Sequence, residues 1–220
     1  MTQIKDLEIV KTSAENGDYF VMQSPVTGET YKITKADLFA GLSTGTGSTN
    51  HVGAYSDDGD TNGVFYYLGR QLNTAPWVNP YNNGVTITAS GVESGSLAQL
   101  TDRSGSDFWT PSANGSFVMF HLDTGKLKCN YYSVKSRANS AGYYPRNWKL
   151  EASVNGSEWF YLHNHVNDTS LNGVNQWASF PIETTIAASY FRLTTTGVNS
   201  DNYYHLCLGE VEFYGTFTPN

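Results

Sequence analysis

Aromatic, arginine and histidine side chains recur along the sequence with the chemistry needed to bind a sugar. An aromatic ring offers a flat apolar face to the CH groups of a pyranose, and a guanidinium offers a fork of donors to its hydroxyls. The candidate ligand-binding residues are Trp77, Arg137, Tyr143, Tyr144, Arg146, Tyr203, Tyr204 and His205, with Trp177 and Tyr81 as further candidates. The alternative is that several of these tyrosines only pack loops together. These residue types predict carbohydrate binding if the fold brings them to one place.

Two clusters of potential metal ligands lack a full ligand set. Asp57-Asp58-Gly59-Asp60 begins like an EF-hand calcium loop but has neither the rest of that loop nor its distal glutamate, and a solvated turn is favoured. His163 and His165 alternate along a predicted strand and share a face, yet no cysteine or carboxylate at a diagnostic spacing completes a zinc site. We expect both clusters to be structural.

The sequence offers no convincing catalytic motif. It contains no His-Glu-x-x-His pair and no phosphate-binding glycine loop. Gly41-Leu-Ser-Thr-Gly45 has the spacing of a Gly-x-Ser-x-Gly motif, but it follows a predicted helix, whereas a nucleophile elbow lies between a strand and a helix. Glu210 and Glu212 are neighbouring carboxylates, but strand alternation is expected to place them on opposite faces, where they could not share acid–base work. The sequence therefore predicts a binding protein and not an enzyme.

Composition and charge argue against several classes of partner. The formal net charge is −7, whereas nucleic-acid binding requires a concentrated lysine and arginine surface. No run of about 18 apolar residues is present, so we expect no insertion into a membrane. The segment 1–8 lacks the apolar core of a secretory signal. Cys129 and Cys207 are the only cysteines, and two buried thiols are favoured over one disulfide.

Short strands separated by turn residues make up the chain after residue 62. The predicted strands are Val64–Leu68, Val85–Ala89, Ser116–His121, Tyr131–Arg137, Trp148–Val154, Trp159–His163, Ala178–Pro181, Tyr190–Thr195 and Leu206–Tyr214. Asn155-Gly156 is a strong hairpin signal, and no helix longer than two turns is predicted. This pattern indicates an all-β sandwich or barrel. We expect the space between its sheets to be filled by Trp148, Leu150, Phe160 and Phe191.

Strand parity predicts which loops lie together. If successive strands from Tyr131 onward run antiparallel, loops 138–147, 164–176 and 197–205 share one end of the sandwich. The turns at 155–157 and 183–189 then lie at the other end. Most of the candidate ligand-binding residues fall on the first end, which is the predicted recognition surface.

A short N-terminal unit is separated from the sandwich by a linker rich in glycine, serine, threonine and aspartate. The expected boundaries are 1–42 for this unit, 43–61 for the linker, 62–216 for the sandwich and 217–220 for a tail. Asp18–Met22 and Thr30–Ile33 are predicted strands, followed by a helix over 35–42. A unit of this size buries too little to stand alone, so we expect it to pack against copies of itself or a partner.

The order of motifs in the sandwich resembles the discoidin, or coagulation-factor type C, family of galactose-binding-like domains. Its anchors include Pro76-Trp-Val-Asn-Pro80, Tyr144-Pro-Arg-Asn-Trp-Lys-Leu-Glu-Ala-Ser153, Asn155-Gly-Ser-Glu-Trp159 and Leu208-Gly-Glu-Val-Glu-Phe-Tyr-Gly215. The resemblance implies an antiparallel jelly-roll β-sandwich without catalytic activity, which binds ligands through loops at one end.

The same resemblance implies a calcium site that this sequence only partly preserves. Many members of the family carry an Asp-Gly-Asp-x-x-Thr-x-Trp loop and a C-terminal glutamate, which correspond here to Asp102, Asp107 and Glu210. Arg103 replaces the glycine and Ser104 replaces the second aspartate. We therefore expect no cofactor, with the Arg103 guanidinium supplying the positive charge; calcium on the three carboxylates is the alternative.

The N-terminal unit is similar to segments of phage tail-fibre and virion structural proteins. The similarity lies in Gly17-Asp-Tyr-Phe20, Gly28-Glu-Thr-Tyr-Lys-Ile33 and Ala36-Asp-Leu-Phe-Ala-Gly-Leu42. It implies a homo-oligomeric virion protein, a trimer being favoured, that is extracellular after lysis. Such a tail fibre or surface decoration would join other virion proteins through its N-terminus and present the sandwich to host-surface carbohydrate. The alternatives are an intracellular protein–protein adaptor and a purely architectural capsid or tail cement.

Overall fold

The computed structural model describes the backbone of residues 19–23 and 30–34 and all of residues 50–220. The chain divides into two units, Met1–Gly47 and Ser48–Asn220. In the first unit, β1 (Tyr19–Gln23) pairs antiparallel with β2 (Thr30–Thr34). These strands agree with the predicted pair, while the predicted helix over 35–42 lies outside the described residues.

The second unit is a β-sandwich of two main antiparallel sheets. Its strands are β3 (His51–Gly53), β4 (Val85–Ala89), β5 (Phe108–Trp109), β6 (Phe117–Leu122), β7 (Gly125–Lys135), β8 (Trp148–Ser153), β9 (Phe160–His165), β10 (Trp177–Pro181), β11 (Tyr190–Thr195), β12 (Cys207–Leu208) and β13 (Glu210–Pro219). One sheet has the order β10-β7-β13-β3 and the other has the order β4-β6-β11-β8-β9, while β5 pairs separately with β12. A 3₁₀ turn, Leu97–Leu100, precedes β5. The predicted all-β sandwich is confirmed.

Aromatic rings fill the space between the two main sheets. Phe213 of β13 lies 4.8 Å from Phe191 and 5.7 Å from Phe120, measured between ring centroids. Trp148 and Leu150 are also buried, as predicted. Burying a side chain of this size stabilises the fold by about 2 kcal/mol. Phe160 was wrongly placed in this core: it begins β9, an edge strand, and is 39% exposed.

A predicted strand is instead the helix α1 (Val64–Gly69). Val, Phe and Tyr favour strands by local propensity, so the cause of the helix lies elsewhere in the chain. The carboxylate of Glu212, on β13, accepts hydrogen bonds from the backbone N–H groups of Phe65 (2.8 Å) and Tyr66 (3.2 Å). It satisfies donors that the first turn of a helix leaves free. No helix in the described residues is long and apolar enough to cross a membrane.

The sandwich extends beyond the predicted boundaries of 62–216 at both ends. β3 pairs with the end of β13, so that Val52 lies opposite Thr216 and His51 opposite Phe217. Tyr55 stacks on Tyr131 with ring centroids 4.2 Å apart. The described part of the predicted linker and most of the predicted tail therefore belong to the folded domain.

Both cysteines of the protein are free thiols in the interior. Burial raises the pKa of Cys129 and of Cys207 to about 12. A thiol reacts as its thiolate, so both behave as small apolar side chains. The prediction of buried thiols is confirmed.

Candidate ligand-binding site

Three loops meet at one end of the sandwich, as strand parity predicted. The backbone N–H of Asp168 donates to the carbonyl of Arg146 (2.9 Å), and that of Ser200 donates to the carbonyl of Tyr144 (3.0 Å). The side-chain amide of Asn147 donates to the carbonyl of Val198 (2.8 Å). These bonds join loops 138–147, 166–176 and 197–205 into one surface.

Arg146 and Tyr144 hold these loops together. The Arg146 guanidinium donates to the carbonyls of Leu171 (2.5 Å) and Asp168 (3.2 Å) and to Oδ1 of Asn172 (2.6 Å). Its central carbon lies 5.8 Å from the centroid of the Tyr144 ring, and Tyr144 is buried. Two of the predicted ligand-binding residues are thus accounted for by loop packing, which was the alternative for the tyrosines.

Four rings, those of Trp109, Tyr143, Tyr203 and His205, form what we call the aromatic platform. Tyr143 is the central ring, since its centroid lies 5.0 Å from Trp109, 5.6 Å from Tyr203 and 5.7 Å from His205. Tyr203 is 48% exposed. The rings come from β5 and from two of the joined loops, so the fold assembles them from distant parts of the sequence.

The guanidinium of Arg137 lies beneath the platform. Its central carbon is 4.3 Å from the Trp109 ring and 5.3 Å from the Tyr143 ring. Only 6% of the residue is exposed, and its Nε lies 3.5 Å from Oδ2 of Asp107. Within residues 50–220 no acceptor meets hydrogen-bond geometry at this Nε. A buried guanidinium needs a counter-charge, which Asp107 provides while leaving a donor unmatched.

Tyr143 is held in a conformation that few bulky residues adopt. Its φ is +55°, and the preceding Gly142 has φ +100°. The side chain of Asp201 accepts the backbone N–H of Tyr143 and the hydroxyl proton of Ser200. These two hydrogen bonds, the hydroxyl's first, lower the pKa of Asp201 below its usual value. A left-handed conformation of a non-glycine residue persists only where the surrounding structure enforces it, and such residues are frequent at binding sites.

His205 presents one defined nitrogen to the platform. Its Nδ1 lies 2.8 Å from the carbonyl oxygen of Thr110. Because a carbonyl can only accept a hydrogen bond, the neutral ring carries its proton on Nδ1. Nε2 is then an acceptor, complementary to the donors of Arg137.

Trp77, Trp177 and Tyr204 make no ring contact with the platform within residues 50–220. Trp77 stacks on Tyr66, with centroids 6.3 Å apart. Trp177 lies beside Lys135, whose Nζ is 5.6 Å from the indole centroid. Tyr204 donates its backbone N–H to the hydroxyl of Ser112 (3.0 Å). Trp177 directly follows loop 166–176, in which the backbone N–H of Asn175 donates to the carbonyl of Arg137 (2.9 Å). Ligand binding by Trp77, Trp177 and Tyr204 stays a prediction.

Trp109 was not among the predicted binding residues. Parity counting began at Tyr131 and could not place a strand upstream of it. β5 has two residues, too few to show alternation, and it pairs with β12 about a hundred residues later. The adjacent Asp107, predicted as a metal ligand, was the sequence signal that pointed to this segment.

The residues of the predicted calcium site do not fit a calcium cage. Asp107 accepts hydrogen bonds from the backbone of Ala138 (2.5 Å) and pairs with Arg137, while Oδ1 of Asp102 accepts the N–H of Ser104. Nη2 of Arg103 donates to two carbonyl oxygens, those of residues 59 (2.6 Å) and 60 (3.0 Å). Backbone carbonyl oxygens are typical calcium ligands, and here these two accept hydrogen bonds from Arg103 instead. Across the described part of the chain, no three histidine, cysteine or carboxylate side chains could hold a metal.

Glu210 and Glu212 lie on one face of β13, so their predicted separation was wrong. Residues two apart on a strand point to the same side, and both carboxylates border one small cavity. Burial raises the pKa of Glu210 to about 8 and that of Glu212 to about 7. The carboxylate of Glu212 accepts the N–H groups of the first turn of α1. This capping role explains why Glu212 is buried, and no acid–base role is needed to explain it.

Comparison with known proteins identifies the domain. Residues 86–209 match the F5/8 type C domain. A BTB/POZ domain-containing protein of Arabidopsis thaliana is 30% identical over 182 residues, which cover 74% of this chain and 22% of the plant protein. The chain thus spans about a fifth of that relative's length.

Two solved structures from Clostridium perfringens share the fold. CBM32-3 from a family 31 glycoside hydrolase matches with a TM-score of 0.52 and 16% identity, over 60% of this chain and 91% of the other. The module CpGH89CBM32-5, solved in complex with GalNAc-β-1,3-galactose, matches with a TM-score of 0.50 and 12% identity, over 60% and 96%. At these identities the likeness concerns fold alone. Because the domain match covers more than half of the chain, this protein belongs to the F5/8 type C, or discoidin, family.

Proposed function

We propose that this protein is a non-catalytic carbohydrate-binding protein and that the aromatic platform is its sugar site. The observation that carries the proposal is the buried guanidinium of Arg137, which lies 4.3 Å from the Trp109 ring and has an unmatched donor. An unmatched buried donor costs about 1–3 kcal/mol. A ligand hydroxyl that reached it would recover part of that cost.

The platform offers the two kinds of contact that a pyranose needs. Tyr203 and Tyr143 present ring faces for CH groups. Arg137 supplies hydrogen-bond donors, while Nε2 of His205 and the carboxylate of Asp201 supply acceptors. A sugar hydroxyl can therefore be bound both as an acceptor and as a donor. Asp107 and Asp201 offset the charge of Arg137, and we therefore expect a neutral sugar.

The similar fold of CpGH89CBM32-5 suggests the probe. That module was solved in complex with GalNAc-β-1,3-galactose, so this disaccharide should be titrated against the full chain by calorimetry, beside a glycan array. We expect Trp109→Ala and Tyr203→Ala each to weaken binding about tenfold, equivalent to about 1.4 kcal/mol. Tyr161→Ala is the matched control, because Tyr161 is 60% exposed on β9, away from the platform.

The glycan array decides between a sugar and another ligand. If the array shows no binding, or if Trp109→Ala binds like the wild type, the platform is not a sugar site. A protein–protein adaptor would then be favoured, because the plant relative is a BTB/POZ domain-containing protein. In that case the platform variants should lose a protein partner that Tyr161→Ala retains.

A virion role for residues 1–42 remains a prediction. It rests on the similarity of their motifs to tail-fibre and other virion proteins, and the relative from Arabidopsis does not support it. Native mass spectrometry of the full chain tests it: attachment through this unit requires a trimer or other oligomer, and a monomer at high concentration contradicts it. If the protein is instead a virion cement with no soluble ligand, alanine at Tyr143, Tyr203 and Tyr204 would leave adsorption of the particle unchanged.

A further inference from the structure

A second cleft lies on the outer side of the β10-β7-β13-β3 sheet and has no part in the platform. Its volume is about 260 Å³, close to the lower end of the range for small-molecule sites, about 300–1,000 Å³. It is lined by Asp58, Gly59, Arg103, Lys135, Trp177 and Glu210. We call it the Glu210 cleft.

Glu210 is the unusual residue of this cleft. Only 3% of it is exposed, and its Oε1 has no hydrogen-bond partner anywhere in residues 50–220. It lies directly opposite Lys135 on the neighbouring strand, yet the two side chains form no ion pair in the described structure. A buried polar oxygen without a partner costs about 1–3 kcal/mol. A ligand hydroxyl in the cleft could satisfy it.

The fixed charges around Glu210 oppose one another. Lys135 and Arg103 are cationic, and Arg103 is anchored to the carbonyl of Gly59 at 2.6 Å. Asp58 is anionic, and its Oδ1 accepts hydrogen bonds from Tyr55 (3.0 Å) and Ser179 (2.5 Å). A cation would meet Lys135 and Arg103, and an anion would meet Asp58 together with the nearby charge of Asp102, which also acts on Glu210. The cleft therefore suits a neutral ligand with both donors and acceptors.

Trp177 gives the cleft an apolar wall. The half-buried indole lies against the turn at Gly59, where an added Cβ would approach Nε1 to 3.3 Å. A carboxyl group, an ammonium group and an indole around one small cleft can bind the hydroxyls and the CH face of a sugar.

We propose that the Glu210 cleft is a second binding site, for a neutral pyranose, in which Glu210 and Lys135 bind hydroxyls and Trp177 packs against the ring. The proposal goes beyond the function assigned to the platform and shares no residue with it. Each site can therefore fail without the other.

The indole N–H signals of the five tryptophans test the two sites separately. The full chain, labelled with ¹⁵N, is titrated with methyl β-galactopyranoside and then with methyl β-glucopyranoside, up to about 50 mM to detect millimolar affinity. Tryptophan-to-phenylalanine variants assign the signals of Trp77, Trp109, Trp148, Trp159 and Trp177. We expect the Trp177 signal to move with at least one probe, and that of Trp159, which lies on Arg192 at 3.9 Å, to stay.

A Trp177 signal that stays unmoved with both probes overturns the second site, whatever Trp109 does. Movement of Trp109 alone leaves only the platform, and movement of Trp177 alone leaves only the cleft.

Two substitutions at Glu210 then test its role. Glu210→Leu should abolish the movement of the Trp177 signal, whereas Glu210→Gln, which keeps a donor and an acceptor, should retain binding within about threefold, less than the loss of one hydrogen bond. Equal binding by the leucine variant contradicts a role for Glu210. The ligand-free signal of Trp148, which is buried in the core, should stay in place in both variants and serves as the folding control.

Discussion

At the scale of single residues, Glu210 should make the stability of the domain depend on pH. Burial, with the nearby charge of Asp102, raises its pKa to about 8 in the folded protein, while an exposed glutamate titrates near about 4.3. The folded state therefore binds more protons than the unfolded state between these values. The contribution of Glu210 is fully present below about pH 4.3 and is lost as the pH rises through about 8.

The urea midpoint of the wild type, measured from pH 5 to pH 9, should show this loss when compared with that of Glu210→Gln. We expect the difference in unfolding free energy between the variant and the wild type to grow with pH, by on the order of 2–4 kcal/mol. Burial also lowers the pKa of His165, so this residue makes the unfolding free energy rise with pH below neutral, opposite to Glu210. Because both proteins contain His165, its contribution cancels in the difference between them. A difference that does not change with pH would mean that Glu210 is ionised in the folded state.

Arg103 should replace, rather than accompany, a bound cation. Its guanidinium ties the loop that contains Asp102 to the turn at Gly59 and Asp60, which is the task that an ion would perform. Calcium or a chelator should therefore leave the melting temperature of the wild type unchanged. Arg103→Ala, which keeps the left-handed backbone of this exposed residue (φ +59°), should lose about 1 kcal/mol. A rise in the wild-type melting temperature with calcium would contradict this assignment.

At the scale of secondary-structure elements, α1 depends on a carboxylate from β13. Gly63 precedes the helix, and a Cβ added there would come within 2.1 Å of the side chain of Glu212. Gly63→Ala should therefore displace a fully buried cap and cost about 3–5 kcal/mol of unfolding free energy. Gly105→Ala is the matched control, since its nearest neighbour is a Cβ at 3.9 Å. Equal urea midpoints for the two variants would show that Glu212 does not hold the helix.

The same elements show what could be predicted from sequence. The β8–β9 hairpin was predicted because its signals are local: alternation along Trp148–Ser153 and the turn at Asn155-Gly156, where Gly156 has φ +76°. α1 was predicted as a strand because its cap is 147 residues away. Trp109 and the Asp107–Arg137 pair were missed for a similar reason, because each depends on contacts that only the folded sheets create.

At the scale of the whole molecule, the position of β3 decides where the domain can be cut. A fragment of residues 48–220 keeps the pairing of β3 with β13 and the stacking of Tyr55 on Tyr131. We expect it to unfold at the same urea concentration as the full chain. A fragment of residues 62–220, cut at the boundary that the sequence suggested, loses both and exposes Phe217, which is fully buried.

The shorter fragment should be less stable by at least about 2 kcal/mol, the value of one large buried side chain. It should also leave the unpaired edge of β13 open to association with other molecules. Denaturation curves and size-exclusion chromatography of the two fragments measure both effects. Equal stability of the two fragments would mean that residues 48–61 do not contribute to the stability of the sandwich. Lower stability of the 48–220 fragment than of the full chain would mean instead that the N-terminal unit stabilises the domain.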